Sequence, residues 1–115
     1  MKMTLLLIAL GLKLQANALL DQSFRKKIRH INRIVVIKTA DGKHSYSYLF
    51  RNNMIFCHPG SNKHATVELI WADPEKALQV MLSNEQLDTF SAMGKGELVI
   101  KGNFQDALWF TDIAT

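Results

Sequence analysis

Short apolar runs separated by turn residues occupy the middle of the chain, whereas both ends carry apolar residues at helical spacing. The β-branched run at 34–39 predicts a strand. Asp41-Gly42 predicts a tight hairpin turn after it, because glycine accepts the positive φ that such a turn requires. The return strand at 43–50 alternates aromatic residues with serines, the period of two of a strand with two different faces.

Three further strands are expected, at 54–58, at 65–71 and at 98–100, and Arg51-Asn52-Asn53 predicts the turn before the first of these. Each connection between the first four strands is short. Short connections favour pairing between strands that are neighbours in sequence, so these four strands are expected to form an antiparallel meander.

Helices are predicted before, between and after these strands. Asp73-Pro74-Glu75 has the capping residue, the proline and the acid that begin a helix, and Ser83 with Gln86 has capping-box spacing for another. The remaining helices are expected at about 4–20, 22–31 and 104–113. The order αα-ββββ-αα-β-α predicts a single α+β domain over 1–115, with a five-stranded, mostly antiparallel sheet and helices on one face.

The first helix admits more than one interpretation. A lysine followed by an apolar run and Ala16-Asn17-Ala18 is typical of a signal peptide. A helix of the domain is favoured instead, because Lys13 interrupts the run and apolar residues recur along one face. The uninterrupted run is too short for a transmembrane span. The expected packing face consists of Leu5, Ile8, Ala9, Leu12, Ala16 and Leu19.

Composition and charge exclude few locations and few classes of binding partner. The 115 residues are 48% hydrophobic and 21% charged, with a net charge of +4 and one cysteine, so no intrachain disulfide can form. These values favour a cytoplasmic protein over an exported one, and a location peripheral to a membrane is an alternative. The basic side chains of the second helix favour either a solvated surface or contact with an anionic membrane. They are Arg25, Lys26, Lys27 and Arg29.

No motif predicts catalysis, a metal or a cofactor. The four histidines lack metal-ligand spacing, and Cys57 and His58 are adjacent in a strand, so their side chains point to opposite faces. Neither a phosphate-binding loop nor a nucleophile elbow occurs. The aromatic face formed by Tyr46, Tyr48 and Phe50 lacks a companion set of basic residues, which argues against nucleic acid. We therefore expect a non-enzyme without metal, cofactor or nucleic-acid partner.

The remaining feature is a surplus of large apolar residues toward the C-terminus. Any one of them fits an ordinary core, but together they also suit the wall of a tunnel for a lipid, because methionine and aromatic side chains repack around different ligands. The candidate lipid-binding residues are Leu78, Met81, Leu82, Leu87, Phe90, Met93, Phe104, Leu108, Trp109, Phe110 and Ile113.

From about 34 to 110 the sequence resembles the sterol carrier protein 2 family. The resemblance is carried by the strand-turn-strand at 34–50, by the strand-to-helix passage at 65–73 and by a glycine-rich strand before the last helix. The key positions of that last motif are Met93, Gly94, Gly96, Leu98, Ile100, Gly102 and Asn103.

This resemblance implies a five-stranded sheet, helices on one face and a hydrophobic tunnel between them. It implies a carrier of fatty-acyl, sterol-like or isoprenoid lipids without catalytic residues. Some bacterial relatives are accessory factors in isoprenoid quinone synthesis, and others are domains fused to enzymes. A scaffold of the same fold with a filled core is the alternative function, and a homodimer or an enzyme partner stays open.

Overall fold

A computed structural model describes residues 2–51, 54–83 and 86–114. The predicted element order is confirmed, while the turn predicted at 51–53 and the capping box predicted at 83–86 fall partly outside the described residues. The helices are α1 Lys2–Leu20, α2 Gln22–Ile28, α3 Pro74–Ser83, α4 Gln86–Gly94 and α5 Phe104–Ala114. The strands are β1 Arg33–Thr39, β2 Ser45–Arg51, β3 Met54–Pro59, β4 Val67–Trp71 and β5 Leu98–Gly102.

The five strands form one sheet in the order β3-β2-β1-β4-β5. Three of the four pairings are antiparallel, and β1 pairs with β4 in parallel, with Ile37 opposite Leu69. The mostly antiparallel α+β sheet is therefore confirmed, but the meander expected for the first four strands is wrong. β1 lies in the centre of the sheet, and its Val35, Val36 and Ile37 are all buried, so both its faces are covered. A strand buried on both faces is typical of parallel pairing.

The chain reaches β4 by crossing the sheet. After β3 it runs over the side of the sheet that carries Val36 and Ser47, and both of these side chains are buried. Ser47 Oγ donates to the carbonyl of Gly60 at 2.7 Å, and Thr66 N donates to the carbonyl of Ile34 at 2.8 Å. The segment between β3 and β4 thus serves as part of the second layer on the side without helices.

The helices cover the opposite side of the sheet. There Tyr48 and Phe50 of β2 contact the ring of Phe110 of α5, with ring centroids 5.8 and 6.1 Å apart. Arg33 Nε of β1 forms a salt bridge with the buried carboxylate of Asp106 at 2.9 Å, which fixes α5 to the sheet. The helices and the sheet therefore share one apolar core, as the sequence predicts for helices on one face.

α1 packs on the sheet through a different face from the expected one. The buried side contains Met3, Leu7, Gly11 and Leu14, whereas the expected stripe is exposed throughout. A Cβ atom on Gly11 would lie 2.9 Å from Sγ of Cys57, so glycine permits close approach of the helix to the strand. The exposed stripe consists of Leu5, Ile8, Ala9, Leu12, Ala16 and Leu19, and we call it the open face of α1.

Among the described residues, one helix is long and apolar enough to cross a membrane, because it continues through Lys13 beyond the short uninterrupted run. It is the segment Met3–Leu20 of α1, with a mean hydropathy of 1.7, and 22% of it is buried within the protein. Core helices and signal sequences meet the same criterion, so length and composition alone do not assign a membrane span.

The backbone conformation at Gly102 explains why this position of the C-terminal motif is a glycine. Its φ is +107°, and a Cβ atom there would lie 2.6 Å from the backbone oxygen of Thr66. Any other residue would be strained by its backbone angle and would also displace the start of β4. Asn103 follows and caps α5, since its Oδ1 accepts from Gln105 N at 3.0 Å.

Candidate functional site

An apolar cavity of about 200 Å³ lies between the helices and the sheet. The sheet supplies Ile37, Leu69 and Trp71, all three of them buried. α1 supplies Leu6, Ala9, Leu10 and Lys13. The other lining residues come from α3, α4 and α5 and are Val80, Met81, Thr89, Phe110, Thr111 and Ala114.

The cavity reaches the surface beside α1. Ala9 and Lys13 line it and are exposed, whereas the residues from the sheet lie at its closed end. Lys13 is the single charged residue among those that the structure describes around the cavity. Its ammonium donates to the carbonyl of Ala114 at 3.4 Å, and this contact bridges α1 and the last turn of α5. The site thus has an apolar interior and one cation at its mouth.

Two of the predicted lipid-binding residues, Met81 and Phe110, line this cavity. The others do not, and the assignment of lipid contact to the set stays a prediction. Ile113 is buried elsewhere in the core. Four of the set are exposed and four are half-buried away from the cavity. The exposed four are Leu82, Leu87, Phe90 and Phe104, and the half-buried four are Leu78, Met93, Leu108 and Trp109.

Trp109 illustrates why position on the last helix alone is misleading. Its ring lies edge-on to Phe50 at a centroid distance of 4.9 Å, and Arg33 Cζ lies 5.1 Å from the ring centroid. Its Nε1 donates to the carbonyl of Lys27 at 3.3 Å. Trp109 therefore joins α5 to α2 and β2, on the other side of that helix from the cavity lining.

Sequence reasoning missed the contribution of α1 and of the sheet to the cavity. Leu69 and Trp71 are two positions apart in β4 and therefore share one face of the strand. This pattern was sufficient to include both in the candidate set. Lys13 also gave a signal, since it is the one charged residue between Met3 and Leu20. Thr89 and Thr111 gave none, because short polar residues are ordinary on helices that are partly exposed.

Cys57 and Tyr48, two groups whose pKa is shifted, lie outside this cavity. Burial raises the pKa of the Cys57 thiol, which disfavours the reactive thiolate at neutral pH. Burial also raises the pKa of Tyr48, whose hydroxyl donates to the carbonyl of Leu7 at 2.6 Å. Within residues 2–51, 54–83 and 86–114, no three His, Cys, Asp or Glu side chains are grouped to hold a metal. The absence of enzyme activity stays a prediction.

The basic residues assigned to membrane contact are all exposed. Arg25, Lys26 and Lys27 belong to α2, and Arg29 follows it directly. Lys27 also forms a salt bridge with Asp112 at 3.5 Å, between two side chains that are both more than half exposed. Such a surface pair contributes little to stability. The geometry is compatible with either predicted interpretation of this surface, and contact with an anionic membrane stays a prediction.

The sequence matches no family model and no curated protein sequence. Solved structures, in contrast, match over almost the whole chain. The structure described as UbiJ-SCP2, a ubiquinone synthesis protein, superposes with a TM-score of 0.74 at 14% identity, over 96% of this chain and 93% of that chain. Sterol carrier protein 2 from Yarrowia lipolytica, in its apo form, superposes with a TM-score of 0.62 at 21% identity, over 89% and 84% of the two chains.

The fold is that of the sterol carrier protein 2 domains. The resemblance seen in the sequence is thereby confirmed at the level of fold. The same fold also occurs as a part of a larger protein, the sec-alkylsulfatase Pisa1 from Pseudomonas sp.. There the TM-score is 0.60 at 20% identity, and the match covers 77% of this chain but 14% of the other. The fold thus occurs both as most of a chain and as a small portion of one.

Proposed function

We propose that this protein is a lipid-binding carrier domain that holds an apolar chain in the cavity between its sheet and its helices. The observation that carries the proposal is the cavity itself, which is lined by large apolar side chains and opens at one end. Most apolar cores are packed to the density of organic crystals, so an apolar space of this size needs a reason. A ligand that fills it would provide one.

The volume limits how much of a ligand fits. An apolar cavity of about 150 Å³ binds a molecule of benzene's size. The cavity here, at about 200 Å³, matches a segment of roughly six to eight carbons by the same measure. At ~0.8 kcal/mol per buried methylene, such a segment contributes about 5–6 kcal/mol, which is close to the lower estimates of the cost of association. Weak binding is therefore expected unless the cavity widens.

Two features of the wall support widening around a longer chain. Met81 is half-buried at the cavity, and its unbranched thioether side chain adopts several shapes at low cost. The four side chains that α1 contributes to the cavity are exposed or half-buried, so they can move while Leu7 and Leu14 stay packed on the sheet. A chain that emerges at Ala9 would continue along the open face of α1.

The carrier function requires no reacting group at the cavity. Burial of an apolar chain is non-directional, so selectivity among acyl, isoprenoid and sterol-like chains is set by length and width. This agrees with the apolar character of the cavity lining, in which the described polar side chains are those of Lys13, Thr89 and Thr111. We therefore propose a non-catalytic role.

The proposal is tested by filling the cavity. Met81→Trp adds a large side chain to the wall, and we expect uptake of a fluorescent fatty-acid analogue to fall about tenfold. Leu82→Trp is the matched control, because Leu82 is the next residue of α3 but is 68% exposed. Binding is measured by fluorescence titration of protein purified without detergent, and thermal melting confirms that both variants fold.

Native mass spectrometry of the wild-type protein, followed by organic extraction, would identify a co-purifying lipid class. Equal affinity in folded Met81→Trp and Leu82→Trp would contradict the assignment of the cavity. A wild-type protein that neither carries nor takes up any apolar chain would overturn the carrier function and would favour the scaffold with a filled core.

A further inference from the structure

The one charged side chain at the cavity has no acidic partner among the residues that the structure describes. Four salt bridges are found among these residues, and each uses a different basic residue from Lys13. The contact with the carbonyl of Ala114, at 3.4 Å, is long for a hydrogen bond to an ammonium group. Since an ammonium has three donors, at least two are available to another acceptor.

The position of Lys13 is unusual for its helix. From Met3 to Leu20 no other residue is charged, and Lys13 lies at the exposed mouth of the cavity rather than on a polar side of α1. A cation beside the last turn of a helix stabilises that helix by interacting with its terminal carbonyl groups. Lys13 belongs to α1 but makes such a contact with the carbonyl of Ala114 at the end of α5. That role accounts for a cation near α5, but it does not require the cation to line an apolar space.

We propose that Lys13 binds the head group of the ligand, and that the ligand is a single-chain amphiphile with an anionic oxygen head, such as a carboxylate or a phosphate monoester. This inference rests on the carrier function proposed above. The apolar tail lies in the cavity between the helices and the sheet. The head stays at the mouth, where it reaches the ammonium without burial of charge. Thr89 and Thr111 also line the cavity, and the hydroxyl of Thr111 donates to the carbonyl of Leu108 at 2.9 Å.

The geometry distinguishes this ligand class from neutral lipids. A neutral alcohol or ester gains the same burial of its tail but no charge-assisted hydrogen bond to Lys13. Because the mouth is open to solvent, the advantage of the charge is that of a partly screened ion pair, about fivefold in affinity at low salt. The expected effect is a preference among head groups at constant tail length.

The test compares dodecanoate, dodecyl phosphate and dodecanol at pH 8, below the micelle concentrations of the two anions and below the solubility limit of dodecanol. Each displaces a bound fluorescent probe from the wild type and from two variants. Lys13→Met keeps an unbranched side chain and removes the charge. Lys101→Met removes the same charge from β5, where the register with Glu68 places Lys101 on the side of the sheet opposite the helices. The two variants have the same net charge, so long-range attraction of anions is matched.

We expect the wild type and Lys101→Met to bind dodecanoate or dodecyl phosphate about fivefold more tightly than dodecanol, and high salt to reduce this preference. Lys13→Met should lose the preference between anionic and neutral head groups, and Lys13→Arg should retain it. Binding of all three compounds by Lys13→Met with the wild-type preference would overturn the role of Lys13 and leave the carrier function intact. Failure of the wild type to bind any of them would overturn both.

Discussion

The two faces of α1 are almost equally apolar, yet they have opposite environments. The face with Leu7 and Leu14 is buried against the sheet, whereas the open face, with Leu5 and Leu12, is exposed to solvent. Both faces have apolar residues at helical spacing, so hydrophobic periodicity does not distinguish them. The buried face also contains Gly11, where a Cβ atom would lie 2.9 Å from Sγ of Cys57 in β3.

This comparison teaches that in an apolar helix the smallest residue locates the contact better than the largest residues do. A glycine in a helix lowers its stability by about 1 kcal/mol relative to alanine, so its presence indicates a steric need. That need here is the sulfur of Cys57. The following changes should separate the two faces by measurement, from the largest effect to the smallest.

Removal of a leucine from each face gives the largest contrast. Leu14 is 0% exposed and Leu12 is 62% exposed, and both lie in the middle of the same helix. Leu14→Ala should lower the free energy of unfolding by about 3 kcal/mol, because it leaves a cavity in the core. Leu12→Ala should change it by less than about 0.5 kcal/mol. Urea denaturation measures both, and equal losses would show that the open face is covered in solution.

Addition of a side chain at Gly11 should have a smaller effect. Gly11→Val places methyl groups against Cys57 and Tyr48, and we expect a loss of about 2 kcal/mol from overpacking. Ala16→Val puts the same residue on the open face and should cost about 0.5 kcal/mol through helix propensity alone. The same denaturation experiment tests the pair. A Gly11→Val protein as stable as Ala16→Val would disprove the close approach of α1 to β3.

Deletion of one hydroxyl group should give the smallest difference. Tyr48→Phe removes the hydrogen bond to the carbonyl of Leu7, and we expect a loss of about 1 kcal/mol. Tyr46→Phe is the control, because the hydroxyl of Tyr46 forms no hydrogen bond with the described residues and the side chain is half-buried. Thermal melting compares the two variants with the wild type. A larger loss of stability in Tyr46→Phe than in Tyr48→Phe would contradict the hydrogen bond between Tyr48 of β2 and Leu7 of α1.

Much of the fold could be predicted from local chemistry. The hairpin at Asp41 and Gly42 follows from the turn alone, and the structure gives Gly42 a φ of +76°. The helix starts follow from their caps, as at Asp73, whose carboxylate accepts from Glu75 N at 3.0 Å. The position of β4 could not be obtained in this way, because short connections favour sequential pairing and only the burial of β1 on both faces argues against it.

The candidate site was harder to predict than the fold. A set of apolar residues on α3, α4 and α5 includes Met81 and Phe110 of the cavity, but it also includes Leu87, which is 76% exposed. Composition identifies residues that avoid water and does not say which of them border an empty space. α1 forms one wall of the cavity, and its packing on the sheet includes the close approach of Gly11 to Cys57, 46 positions apart in the chain.

The parallel pairing of β1 with β4 has a consequence for folding during synthesis. β1, β2 and β3 can associate as soon as they leave the ribosome, but one edge of β1 then stays unpaired until Val67–Trp71 has been made. An exposed apolar edge strand is a template for association with other chains. Such pairing across distant parts of the chain also slows folding. Nascent chains that end shortly after β3 should therefore be the most dependent on chaperones, and release from that dependence should coincide with completion of β4.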